Sequence, residues 1–450
     1  DDDSADDDDS ADDDDSAEDD DDSADDDDSG DDDDSAPTDC PLWVDASWTG
    51  AETGAQASPY SDLPAAMAAA AATACPAIRV QAGTYSPVAW PANGFDVAVV
   101  GLSGAATTTI TSTPSTSLLT VTGGQSPSSS IQGFTLRGGH ADYGGGLHLV
   151  GSGFTVTDCV FTLNTGVISG GGVYAEDATL VAQDTTFFDN AANTQGGGIA
   201  AFDTTLTVTG GSIEANLSLG AGAGLVLSNA SAGGPSLIQG VLFHGNQADQ
   251  DGGGALLERA VVEVLHNTFS SNSANDDGGG LYMLNASPGT DLHNNVFVDN
   301  EADESSAIQV FGTGPTVRSN TIVSGLATGS EPAAVQAGLS RFRHNIVAYE
   351  AGWGVDNGSP SGTIQYNDVT QSGVQNWHTD ITGTAGNVDV DPAFVNYSST
   401  TAVPPWDFTL SPTSPLLDAG DPTESDPDGS VIQLGAFGGP DGDWVPQQAP

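Results

Sequence analysis

The residues of this chain whose types and spacing offer chemistry are carboxylates that return at one place in successive short repeats. They are Asp249 and Asp251, then Asp276 and Asp277, then Asp303 and Glu304. If each group sits on a turn and the turns stack as neighbouring strands do, about 4.8 Å apart, the carboxylates approach the roughly 5 Å spacing used by retaining glycosidases. Like charges that close are solvated, partly protonated or bridged by a cation. Calcium is the cation that such hard oxygen donors suit. Asp251, Asp277 and Asp303 are therefore read as candidate Ca²⁺ ligands, with a catalytic carboxylate pair and a plain solvated turn as the competing readings. A second acidic group is Asp418, Asp421, Asp426 and Asp428. Its Asp426-Pro-Asp-Gly429 segment has the opening of a calcium-loop pattern, which makes Asp426 and Asp428 further candidate metal ligands against the reading of a polar turn.

An aromatic row accompanies the acids. Outward positions on the run after each glycine triplet read His148, Tyr174, Ala200, Val226, Leu256, Tyr282, Gln309 and Gln336. Open to solvent, His148, Tyr174 and Tyr282 would stack sugars or dock a partner; covered by loops, they would only pack. Tyr174 and Tyr282, four repeats apart, would stand about 19 Å from each other. His266, His293 and His344 each adjoin an asparagine and are expected to point outward, without the convergent set that zinc needs. Cys40 and Cys75 flank one segment and are able to pair, whereas Cys159 falls in a strand pattern as a buried thiol.

Composition narrows the function further. There are 63 acidic residues against 6 arginines and no lysine, a formal charge of −57. Without lysine there is no P-loop lysine, no kinase-type ATP lysine and no Schiff base. Nucleic acid is excluded as a partner for want of clustered cations, and an acidic membrane surface would repel the chain. The longest apolar run, Ala65 to Ala72, is far shorter than the roughly 20 residues of a spanning helix. Residues 1–36 hold 24 of the acids in a DDDDSA-like period with alanine as their one apolar type. They read as a disordered, self-repelling spacer, able to reach about 120 Å when extended.

A repeat positions these residues. Glycine triplets or their degenerate copy begin at Gly144, Gly170, Gly196, Gly222, Gly252 and Gly278, in steps of 26, 26, 26, 30 and 26. In phase with them run Phe161…Asn164, Phe187…Asn190, Ile213…Asn216, Phe243…Asn246, Phe269…Asn272 and Phe297…Asn300. Each unit holds two or three short alternating runs divided by Gly, Asn and Asp, which reads as strands and turns. A unit this short cannot close its own core, so coils must stack and share side-chain columns, giving a parallel β-solenoid. One interior column is Phe161, Phe187, Ile213, Phe243, Phe269 and Phe297. Another is Leu147, Val173, Ile199, Leu225, Ala255, Leu281 and Ile308. A further asparagine column, Asn267, Asn295, Asn320, Asn345 and Asn367, is expected to link coils through its amides.

These repeats are similar to those of the secreted bacterial right-handed parallel β-helix proteins of the pectate-lyase-like superfamily, over roughly residues 40–440. The Gly-Gly-apolar and Phe-x-x-Asn elements also look like those of polymorphic outer-membrane surface proteins. Trp43-Val-Asp-Ala-Ser, the alanine-rich stretch after Ser61 and Ile78–Tyr85 resemble that family's N-terminal cap. Asp391-Pro-Ala-Phe394, Leu410–Asp421 and Leu434–Gly439 resemble its C-terminal cap, with Val403-Pro-Pro-Trp406 suited to covering strand edges. The resemblance implies an all-β, single-stranded right-handed parallel β-helix with a short N-terminal capping helix and an irregular C-terminal cap. It implies no particular activity: Arg341-Phe-Arg343 lacks the lyase arrangement of arginines, and only Asp276-Asp277 matches a polygalacturonase-like element.

The expected organisation is a linker at 1–36, the N-terminal cap and first coils at 37–100, coils of about 26 residues at 101–380, and a C-terminal cap and tail at 381–450. The expected role is that of an exported, monomeric surface or extracellular protein, anchored through a segment outside this sequence, that binds polysaccharide or another surface protein without catalysis. The alternative is a polysaccharide lyase or glycoside hydrolase using the stacked acids, and a passive stalk is the third reading.

Overall fold

The computed structural model describes residues 40–448 apart from 113–115, 231–233, 330–331, 358–361 and 398–405. The acidic spacer at 1–36 and the prolines at 404–405 lie outside the described residues. A single compact unit spans Pro37–Pro450. It is a parallel β-solenoid, as the repeat requires, and its coils wind through three walls and a short fourth ladder.

The first wall carries the strands after the glycine triplets, in register from Leu119 through Leu147, Val173, Ile199, Leu225, Ala255, Leu281 and Ile308 to Val335. The second continues from Ile131 through Val156, Ala182, Val208, Ile238, Val264, Leu292 and Val317 to Phe342. The third is a 12-stranded parallel sheet on which the phenylalanine column stacks. Ring centroids there are 4.5 Å apart for Phe243–Phe269 and 4.6 Å for Phe269–Phe297, nearly coplanar in orientation. All of these interior residues are buried.

Two asparagine ladders turn the corners. The expected column from Asn267 runs to Asn387, and the Phe-x-x-Asn residues Asn164, Asn190, Asn216, Asn246, Asn272 and Asn300 form a second. Asn190 shows the unit. Its N–H and Nδ2 both donate to Asn216 Oδ1 at 3.0 Å, and Nδ2 also donates to Phe161 O at 3.0 Å. The preceding residue is left-handed (Asp189, φ 56), which bends the chain so that polar backbone groups point inward and need this amide. Glycine triplets serve the opposite corner. Gly252 is left-handed at φ +68, and a Cβ on Gly253 would lie 2.4 Å from Ser273 O on the next coil.

Both ends are covered. The helix Leu63–Thr73 buries Leu63, Ala66, Met67 and Ala70 against the first coil. A Cys40–Cys75 disulfide ties its exit to the first strand, Leu42–Val44. The C-terminal segment does more than close an edge. Phe394, Tyr397, Phe408, Leu416 and Leu434 pack on Val296, Val298, Val323 and Ile346, the outward side of the third wall. It then runs back along the coils as a strap. Gly435 N–H donates to His344 O (2.8 Å), Asn294 Nδ2 donates to Ala436 O and Gly438 O (2.9 and 2.8 Å), and Gln447 Nε2 donates to Gly240 O (2.6 Å). The strap corrects the expectation for the histidines. His293 and His344 leave the coil outward but are buried beneath it, and His266 meets Asp441 O at 2.6 Å.

Candidate functional site

The acids before the glycine corners form a true column, with one change of member. Gly252 N–H bonds Asp277 O, and Gly279 N–H bonds Ser305 O, which sets Asp251, Asp277 and Glu304 one above another. The Asp303 and Glu304 N–H groups both donate to Asp276 O, at 2.9 and 3.3 Å, but the Asp303 side chain is exposed and is approached by Thr328 Oγ1. The expected row Asp251–Asp277–Asp303 is thus replaced by Asp251–Asp277–Glu304. The cause is a step of 27 residues, Leu281 to Ile308, where the earlier step is 26.

The column is half-buried because each glycine turn folds back over the strand that follows. A Cβ on Gly278 would sit 2.9 Å from Tyr282 Cβ, and one on Gly252 would sit 3.2 Å from Leu256 Cβ. Val226, Leu256 and Tyr282 consequently pack with Ala221 as a small apolar cluster outside the coil. Of the two readings left open for the aromatic row, the covered one holds for Tyr282 (9% exposed) and Tyr174 (8%), while His148 is half-buried. Tyr174 lies in a separate aromatic group with Tyr143, His148 and Phe202, its hydroxyl donating to Glu176 at 3.1 Å. Of the three rings named from sequence, only Tyr282 meets the acids, and Asp251 and Asp277 help to push its hydroxyl up to about 12, after burial.

Electrostatics separates the carboxyls. Burial, then the charges of Asp251 and Glu304, raise Asp277 to about 6. Asp251 is also raised by burial, but it accepts the Asp277 N–H at 3.3 Å, a bond that favours its anion. As pH falls from neutral, the first proton therefore goes to Asp277. Among the described residues no free cation relieves the strip. Arg259, on the strand's far end, pairs with Glu258 and donates to Asn229 Oδ1 at 2.9 Å.

The other candidate ligands do not join this site. Asp426 takes backbone N–H groups on both oxygens, from Gly439 at 2.6 Å and Gln433 at 3.1 Å, while Asp428 Oδ1 takes Ser430 N–H at 2.9 Å. Among the described residues no group of three His, Cys, Asp or Glu side chains is placed to hold a metal ion. Cys159 is fully buried, its thiol pushed up to about 12 by desolvation, so it is inert.

Two buried acids were not singled out from sequence. Glu350 is 3% exposed; Oε2 accepts Gly325 N–H at 2.7 Å, Oε1 has no partner, and burial raises the carboxyl to about 8. Asp368 accepts Val390 N–H at 3.0 Å and is raised to about 8 by burial, with Asp389 and Asp391 adding. Their signal was present in part: Glu350 follows the second ladder's spacing from Asn300 and Gly325, where an asparagine would have stood.

No family model and no curated sequence matches this chain. Among solved structures it is similar to the pectate lyase Pel9A, with 16% identity and TM-score 0.43 over 88% of this chain and 95% of that one. It is also similar to the catalytic domain of a GH87 α-1,3-glucanase, with 11% identity and TM-score 0.38 over 73% of this chain and 66% of that one. A third is the A-module of the Azotobacter vinelandii mannuronan C-5 epimerase AlgE6, with 14% identity and TM-score 0.31 over 73% of this chain and 94% of that one. No residue role passes from them to this chain; its fold rests on its own strand register.

Proposed function

We propose that the Asp251–Asp277–Glu304 strip beside Tyr282 is a glycan-hydrolysing site on an exported β-helix protein. The observation that carries this reading is the half-buried Asp277 carboxyl, held near 6 between two acids on adjacent coils. Such a group keeps a proton at mildly acidic pH and releases it to a leaving oxygen. The roles follow from the environments. Asp277 donates its proton to the glycosidic oxygen as the C–O bond breaks. Asp251, one rung away at about 4.8 Å, forms the bond to the anomeric carbon, a spacing near the roughly 5 Å of retaining hydrolases. Water deprotonated by Asp277 then breaks that bond and restores both groups. A neutral glycan suits the strip, since uronate charges would face its acids while the nearby Arg259 is engaged by Glu258. The Cys40–Cys75 bridge supports an oxidising, extracellular location.

The test is release of reducing ends from a panel of neutral glycans and polyuronates, with and without calcium. The expected outcome is turnover of a neutral glycan with retained anomeric configuration, and a loss of about 10²–10⁴-fold in Asp277→Asn. Glycan binding without any turnover would instead support the purely adhesive reading.

A further inference from the structure

The outward column of the third wall reads Val296, Thr321, Ile346 and Asp368, each in register with the next. Only the last of these can ionise. Both polar members hold the covering C-terminal segment, for Thr321 Oγ1 accepts the Ala436 N–H and Asp368 Oδ1 accepts the Val390 N–H, each at 3.0 Å. A hydroxyl keeps such a bond unchanged with pH; a carboxyl changes its charge.

Asp368 lies wholly beneath the segment. It is 0% exposed, and its Oδ2 is buried without a partner among the described residues. Val388 lies beside it as a parallel rung, its N–H bonded to Asn367 O (2.8 Å) and its carbonyl accepting the Val369 N–H (3.2 Å). The titratable groups that face Asp368 are Asp389 and Asp391 on the segment and Tyr349 on the preceding coil, and none of these is positive. Tyr349 is itself tied to the segment, its hydroxyl donating to Asp391 Oδ1 at 3.2 Å. An anion here is buried with one bare oxygen and two like charges, so the neutral carboxyl is the cheaper occupant. Burial and those charges raise it to about 8. Lifting residues 388–397 hydrates the anion and separates the charges. Phe394 and Tyr397 of that stretch share a buried cluster with Val296, Val298, Val323, Ile346 and Ala348, so the same motion uncovers apolar surface.

We propose that residues 388–397 are a proton-controlled latch on the third wall: they stay docked while Asp368 is neutral and lift when it ionises, whereas the Thr321 contact keeps Ala436 in place. The latch needs no catalytic role for the Asp277 strip. Once uncovered, the carboxyl titrates near about 4, so docking is fully favoured below that pH and is lost as pH rises through about 8.

Hydrogen exchange of the full chain at pH 5 and pH 9, corrected for the intrinsic pH dependence of exchange, tests this. Protection of residues 388–397 should fall about tenfold or more in the parent, while the strands Val173–Glu176 and Thr179–Gln183 and residues 434–438 keep theirs. Asp368→Asn, which keeps an acceptor but cannot ionise, should stay protected at pH 9. Asp389→Asn, at an exposed position, should move the loss to higher pH. The latch is overturned by equal protection at both pH values in the parent, by a parallel fall in the reference segments, or by an undiminished fall in Asp368→Asn. Should Asp368→Asn lack the parent's circular dichroism at pH 5, Asp389→Asn decides, and a loss at the parent's pH overturns the proposal.

Discussion

Asp277, Glu350 and Asp368 are each raised well above an ordinary carboxylate, and burial is the first cause in all three. The consequence for stability has a definite sign. Unfolded Asp and Glu titrate near about 4. A folded value near 8 means that the native state binds more protons than the unfolded chain between those limits. Stability from Glu350 and Asp368 is thus fully present below about pH 4 and is lost as pH rises through about 8. Glu350→Gln, which cannot ionise, should be more stable than the parent by about 1–3 kcal/mol near pH 9 and by little near pH 4, read from urea midpoints. An equal difference at both pH values would mean that Glu350 is not a protonated buried acid. At this scale the sequence was a partial guide. It picked Asp251 and Asp277 from their place after the repeating asparagine, but it treated Asp303 as the next member because a one-residue change of coil length moves every later side chain by one place. Counting from Leu281 to Ile308 would have named Glu304.

The corner elements explain why the coils stay in register. Each asparagine inside a ladder joins three coils: it reaches back to a carbonyl and forward to the next amide. Asn320 donates to Leu292 O and to Asn345 Oδ1, both at 3.0 Å, and accepts from Asn295. Asn320→Ala should lower stability by about 2–4 kcal/mol, since it leaves several buried polar groups unpaired, and Asn320→Asp should not rescue it, because a carboxylate cannot donate. Chemical denaturation of the two variants checks this, and wild-type stability in either would refute the ladder's structural role. The phenylalanine column, both asparagine ladders and the glycine corners were legible because repetition writes each of them several times. Whether the Tyr174–Tyr282 row is open or covered was left as two readings by the sequence. It depends on how the glycine turns fold back, a geometry set by left-handed φ angles such as that of Gly278 (φ +67) rather than by side-chain alternation.

At the scale of the whole molecule, charge and fold are separable. The 24 acids of residues 1–36 contribute no apolar surface to a core. Removing them should leave the melting temperature of the solenoid within about 1–2 °C of the full chain, since surface changes away from packing are worth about 0.5 kcal/mol or less; a larger fall would show that the spacer supports the fold. The strap is the feature that sequence hid best. Its contacts join residues as distant as Gly240 and Gln447, and no periodicity links them. It also lines an aromatic pocket through Phe437, Trp444 and Gln448.

The most direct test of the account is the pH dependence of kcat/KM for neutral-glycan hydrolysis in the parent and in Asp251→Glu. Activity is expected to fall as pH rises through about 6, the value held by Asp277. Because the longer Glu changes the spacing to Asp277, the substitution should also move that limb while turnover survives at a reduced rate. A limb near about 4, as for an ordinary exposed carboxylate, or one indifferent to residue 251, would contradict the claim that the stacked acids act as one catalytic pair.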